Sequence, residues 1–143
     1  MRLLQIRYHP KFKSEDTLLF AGSRDDIGLL RSFFLGWNGD ELDLIEYLQE
    51  RVTVYLFSVS ALLLRRDIES DRFIWSRDKG TWSISRVGQE QIISLLDGLL
   101  EADAAGHQYL DDGKAAVQIN ASMDENYPLP TAENGGSDSQ TEI

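Results

Sequence analysis

The chain carries two histidines, His9 and His107, and no cysteine. Proton transfer or nucleophilic attack would therefore draw on these imidazoles, on hydroxyls and on carboxylates. A Ser-His-Asp site needs its nucleophile presented on a tight turn, and no G-x-S-x-G elbow occurs. Without cysteine there is no thiol nucleophile, no thiolate metal site and no disulfide framework. Neither H-E-x-x-H nor an EF-hand loop is encoded. Asp111-Asp112-Gly113 lacks the spaced oxygens and closing glutamate of a calcium loop and reads as a polar turn. Gly22, Gly28, Gly36 and Gly39 form neither a P-loop nor a dinucleotide fingerprint. No cofactor and no metal is expected. Because the chain has 24 acids, almost any fold would bring two carboxylates together, so that abundance points to no reaction. The expectation is a protein that is not an enzyme, with a small hydrolase-like enzyme using His107 and a carboxylate as the catalytic alternative.

Charge is more informative. Residues 87–143 hold eleven acids against Lys114 alone, whereas residues 1–86 balance thirteen acids with thirteen Lys plus Arg. The whole formal charge of −10 therefore sits in the last 57 residues. A field of one sign steers a basic partner in and disfavours nucleic acid and anionic membrane. The basic cluster Arg65-Arg66, with Arg72 and Arg77 interleaved with Phe73 and Trp75, would have to bind phosphates against that field. These arginines are expected instead to pair with Asp67, Glu69, Asp71 and Asp78 on a solvated hairpin.

At 143 residues and 42% hydrophobic content, the chain has the length and composition of one ordinary domain. The expected boundaries are residues 1–127 for a single α+β domain and 128–143 for a disordered acidic tail, where prolines, paired glycines and small polar residues offer little apolar surface to offset ordering. Charges at Arg2 and Arg7 interrupt any signal-peptide core. The longest apolar stretch, residues 52–64, falls short of the roughly 20 residues that cross a bilayer. A cytoplasmic protein with no membrane contact is expected.

The elements that must position these residues follow from periodicity. Residues 3–8 and 17–21 read as strands joined by a loop at His9-Pro10. Ser23 with Asp26 outlines a capping box, and Ile27, Leu30, Phe33 and Phe34 recur at helical spacing until Gly36. Residues 40–50 fit a helix or a strand equally. Residues 52–64 predict one long strand, or two with a bend near Ser60. Residues 73–76 and 81–84 form a hairpin around Arg77-Asp78-Lys79-Gly80, with Gly80 supplying the positive φ. Residues 88–101 make a second amphipathic helix and residues 115–121 a last strand. The expected architecture is a mostly antiparallel sheet with two main helices packed on one face. The helical regions also echo each other at an offset of 66, Gly22, Ile27, Leu29 and Leu30 matching Gly88, Ile93, Leu95 and Leu96.

From Gly88 through Ile92 to Leu100, then His107-Gln108-Tyr109-Leu110-Asp111 and residues 117–121, the chain resembles bacterial polymorphic-toxin immunity proteins. That family combines a glycine turn, a leucine-rich helix, an H-x-H-L-D-like turn and a closing strand in a small α+β domain. The second histidine of the pattern is Tyr109 here, and the N-terminal two thirds do not match. The resemblance implies inhibition of a cognate toxin by occlusion, and an acidic surface suits toxins with basic clefts.

The expected interface draws on Asp97, Glu101, Asp103, Asp111, Asp112, Asp124 and Glu125, with His107, Tyr109 and Tyr127 as anchors that combine apolar area with hydrogen bonding. The partner would be a basic protein such as a toxin domain, with no direct nucleic-acid contact, bound by a monomer or homodimer. The binding-class alternatives are a secretion-type chaperone and an acidic nucleic-acid mimic.

Overall fold

A computed structural model describes residues 3–12, 15–102, 105–110 and 117–124. The segment 128–143, read from sequence as a tail, lies outside them. The chain runs β1 (Leu4–Phe12), β2 (Glu15–Gly22), α1 (Arg24–Gly36), β3 (Leu42–Asp43), α2 (Leu44–Gln49), β4 (Val54–Phe57), β5 (Ala61–Arg66), β6 (Arg72–Ser76), β7 (Lys79–Ile84), α3 (Arg86–Glu101), β8 (Gly106–Tyr109) and β9 (Val117–Met123). The class is α+β, as the alternating helical and strand periodicities require. The strands divide between two mixed sheets, of order β4-β1-β2-β9-β8 and β3-β5-β7-β6. Antiparallel ladders join β1 to β2, β3 to β5, β6 to β7 and β8 to β9, while β1 with β4, β2 with β9 and β5 with β7 run parallel.

Local chemistry accounts for the element ends. Ser23 accepts the Asp26 N–H while Asp26 accepts the Ser23 N–H at 2.9 Å, so both arms of the capping box form. Ser85 caps α3 through the Gly88 N–H at 3.0 Å. The ambiguous stretch 40–50 is both things in turn: β3 pairs with β5, and Asp43 then caps α2 through the Ile45 N–H. Residues 52–64 break at Ser58, whose φ of 61° sends β4 and β5 into different sheets. β1 continues through His9-Pro10, and its register with β2 shifts between His9 and Phe12, where Pro10 has no N–H to donate. In the β6–β7 hairpin the left-handed residue is Arg77, φ 63°, and not Gly80. Gly80 is needed for space, because a Cβ there would meet the Phe73 ring and Leu62.

The two sheets are copies of one pattern. In each, a hairpin (β1-β2 or β6-β7) leads into a Ser-capped helix (α1 or α3), and the strand at the hairpin's second edge runs parallel to it. Gly22 faces Met123 in one parallel ladder and Ile84 faces Arg66 in the other, so the registers superimpose residue by residue once Ser23 is matched to Ser85. The outer strands β8 and β3 pair antiparallel in the same way. One unit is therefore β1-β2-α1-β3-β5, with α2 and β4 inserted, and the other is β6-β7-α3-β8-β9. Their return strands are exchanged: β9-β8 complete the sheet begun by β1-β2, and β5-β3 complete the sheet begun by β6-β7. The sequence echo at 66 is thus displaced by one helical turn from the structural match at 62, and Gly22 corresponds to Ile84 rather than to Gly88.

The exchange leaves one core. Leu4, Ile6, Tyr8, Leu18, Phe20, Ile119 and Ala121 from the first sheet meet Leu62, Leu64, Phe73, Trp82 and Ile84 from the second, with Ile27, Leu30, Phe34, Ile92 and Leu96 from the helices. Helices α1 and α3 lie side by side, and each end is closed by the other helix. Arg24 donates to Leu100 O and, at 2.7 Å, to Ala102 O, and buried Gln89 donates to Phe34 O at 2.5 Å and Trp37 O at 2.8 Å. These bonds satisfy carbonyls that a helix end leaves without intrahelical donors. No helix among the described residues is long and apolar enough to cross a membrane.

Candidate functional site

The five expected interface residues within the described structure separate into different environments. Asp97 forms an ion pair with Arg31 between α3 and α1, so its charge is engaged in packing the helices. Glu101 is exposed at the last turn of α3. His107 and Tyr109 lie on β8, an edge strand rather than the turn the family resemblance implied. Asp124 follows β9 in a left-handed conformation, φ 59°, and donates its N–H to Gly22 O at 2.8 Å. Asp103, Asp111, Asp112, Glu125 and Tyr127 lie outside the described residues.

Strand alternation decides which of these can act together. A Cβ added to Gly106 would touch Leu99 of α3, so Gly106 and Gln108 point toward the helices. His107 and Tyr109 therefore point to the opposite, outer face. The helix acids Asp97 and Glu101 and the β8 side chains consequently occupy opposite sides of one strand and do not form one patch. On the outer face the His107 and Tyr109 rings meet edge to face, with centroids 5.9 Å apart and 84° between planes. Tyr109 is 44% exposed.

Toward the centre of the same sheet the outer face becomes polar and buried. Tyr109 sits beside Asn120 and His107 beside Ser122 in the β8–β9 ladder, and both β9 side chains are buried. The Asn120 Oδ1 meets no donor among the described residues. Further across lie Thr17 on β2 and Arg7 and His9 on β1, all buried. Arg7 donates to Gln5 Oε1 at 2.8 Å and lies 5.3 Å from the Phe57 ring centroid. Burial, reinforced by the neighbouring Arg7 cation, lowers the His9 pKa to about 4. At neutral pH His9 is an uncharged imidazole next to a guanidinium. The two histidines share this face yet are separated by two intervening strands and by four residues of register, roughly 20 Å from strand spacing and rise.

Sequence reasoning placed His9 in a loop and gave Arg7 no role. The alternation Gln5, Arg7, His9 was the available signal, masked by Pro10, which reads as a strand breaker. Asn120 was legible only as the polar half of an alternating strand.

A concavity of about 520 Å3 lies at the start of α3 and is lined by residues including Arg66, Asp67, Ile68, Asp71, Arg86 and Val87. Asp71 accepts the Ser85 N–H at 2.7 Å, so a carboxylate of the chain already faces the positive end of that helix. Asp67 accepts the Glu69 and Ser70 N–H groups, which hold its pKa below the usual carboxylate range, assisted by Arg72 at 3.4 Å. Arg66 packs over the Trp37 ring at 4.8 Å and donates to Gln89 Oε1 at 2.6 Å. Of the arginines expected to pair with acids on the hairpin, Arg72 meets Asp67, and it points outward while Phe73 is buried in the core with Trp75 packed against it. Asp67 and Asp124 are counterparts in the two units, since each follows its parallel strand and donates its N–H to the carbonyl preceding a capping serine, Ile84 and Gly22 respectively.

No group of three His, Asp or Glu among the described residues could hold a metal ion. No protein-family model, curated protein or solved structure matches this chain.

Proposed function

We propose that the chain is a protein-binding inhibitor that occludes a basic surface, and that its partner is a bacterial toxin of the kind neutralised by immunity proteins. The observation that carries this reading is the exposed His107–Tyr109 pair on edge strand β8, at the acid-rich end of the chain. Tyrosine supplies rigid apolar area with one polar end, the make-up of an interface anchor. The net charge of −10 raises the encounter rate with a basic partner and makes it salt-dependent.

The interface centres on Tyr109 and His107, with Asp124 at the rim and Asp97 excluded by its pairing with Arg31. The test is capture from the native organism at low and moderate salt with the wild-type protein and Tyr109→Ala side by side. One basic protein recovered in near-equal amount, weakened by salt and lost with Tyr109→Ala, supports the reading. Recovery insensitive to both salt and Tyr109 counts against it.

A further inference from the structure

The repeated topology exposes one difference between the units that matters for binding. In the first unit the outer edge of β1 is covered by β4, running parallel, with Gln5 opposite Tyr55, Ile6 opposite Leu56 and Arg7 opposite Phe57. The counterpart of β1 is β6, because Ile6 faces Phe20 as Phe73 faces Trp82, and Phe20 and Trp82 precede their capping serines by the same three residues. β6 ends its sheet and has no strand on that edge among the described residues. The connection that supplies β4 in the first unit is shorter in the second. Residues 44–60, which join β3 to β5, hold α2 and β4, whereas only residues 110–116 join β8 to β9.

We propose that the open edge of β6 accepts an extended apolar segment of another protein, which adds as a parallel strand where β4 adds to β1. This inference stands apart from the inhibitor reading, since β8 and β6 belong to different sheets. The register of β4 specifies the occupant: one apolar residue beside Phe73 on the core side and an aromatic or branched residue beside Ile74 on the outer side. Ile74 is 56% exposed and lies between exposed Arg72 and Ser76, so a docked strand would cover its apolar surface. Leu4 donates its N–H to Thr53 O, and alternate N–H groups of a strand point the same way. The corresponding donors on β6 are those of Phe73 and Trp75. Main-chain bonding at a sheet edge supplies affinity while side-chain pockets supply selectivity.

The chain's own residues 51–58, RVTVYLFS, provide the probe, as a fluorescent peptide extended with lysines for solubility. Titrated against the full chain, it should bind saturably, and Ile74→Lys or N-methylation of alternate peptide amides should each weaken binding at least tenfold. Amide NMR shifts should centre on Phe73 and Trp75. Ile74→Lys alters an exposed side chain, and an unchanged melting temperature would confirm that the variant is folded. Absence of saturable binding overturns the proposal, as do shifts confined to β1, which would mean exchange with β4. Concentration-dependent dimerisation abolished by Ile74→Lys would assign the edge to a second copy and overturn it equally.

Discussion

Tyr8 and Trp75 occupy the same position in the two units of the fold and stack on one another, with ring centroids 3.8 Å apart and planes 8° from parallel. Equivalent residues that touch must lie at the axis relating the units, so this pair marks the centre of the internal two-fold. Tyr8 also donates to Asp16 at 2.7 Å, and burial together with that carboxylate raises its pKa. Removing either ring should open space where the two sheets meet. Tyr8→Ala and Trp75→Ala are each expected to cost about 3 kcal/mol, with a coupling of about 1 kcal/mol in the double-mutant cycle. Denaturant titration of the four proteins measures it, and strict additivity would show that the stack contributes nothing beyond burial.

Both ladders that join a hairpin to its parallel neighbour, β2 with β9 and β5 with β7, run between units. The connection from β5 to β6 passes through exposed Ile68, Glu69 and Ser70. Fragments 1–66 and 67–143, made separately, should each lack dispersed amide spectra, because each would hold hairpins without the strands that complete their sheets. Mixed, they should restore the native spectrum and elute as one species. A fragment that folds alone would contradict the exchanged topology.

The lowered His9 pKa predicts a specific acid sensitivity. An unfolded histidine titrates near pH 6.5, whereas His9 in the folded chain titrates at about 4. Between these values the unfolded state binds more protons, so stability falls as pH drops through that window and levels off below it. The slope from this one group is at most about 1.4 kcal/mol per pH unit. Equilibrium unfolding at pH 7.5, 6.5, 5.5 and 5.0 should show the decline before most carboxylates titrate, and His9→Gln should flatten it. An unchanged pH dependence in His9→Gln would remove His9 as the cause.

Ser23 and Ser85 perform one task at equivalent helix starts. Ser23→Ala and Ser85→Ala should each cost about 1 kcal/mol and add in the double variant. The Ser23 effect should be the larger, because its hydroxyl also donates to the Asp26 carboxylate at 3.0 Å, whereas Ser85 meets glycine at that position. Denaturation midpoints of the three variants decide the ranking.

Gly80→Ala tests why glycine is required in the second hairpin. Its added Cβ would meet Phe73 and Leu62, so destabilisation of about 1–3 kcal/mol is expected from overpacking. Phe73→Leu in the same background should recover part of the loss by vacating ring volume. A neutral Gly80→Ala would place the glycine's role elsewhere.

Much of this molecule was readable from local chemistry. The Ser23 and Asp26 side chains close a capping box within four residues, and the apolar spacing of Ile27, Leu30, Phe33 and Phe34 forms a helix face because those positions recur every turn. The alternation around Phe73 and Trp82 likewise marks a hairpin. These signals depend only on neighbours along the chain, as does the concentration of acids after residue 86. The exchange of return strands was not legible, because a β-ladder is paired through space and nothing in β9 names β2 as its neighbour. The echo at 66 equates residues that the topology does not, since Gly22 corresponds to Ile84. Whether acids form one surface is also a tertiary matter: strand alternation turns His107 and Tyr109 away from α3, and the Arg31 contact engages Asp97. Local sequence determined the helices, hairpins and charge; pairing between distant strands decided which side chains share a face.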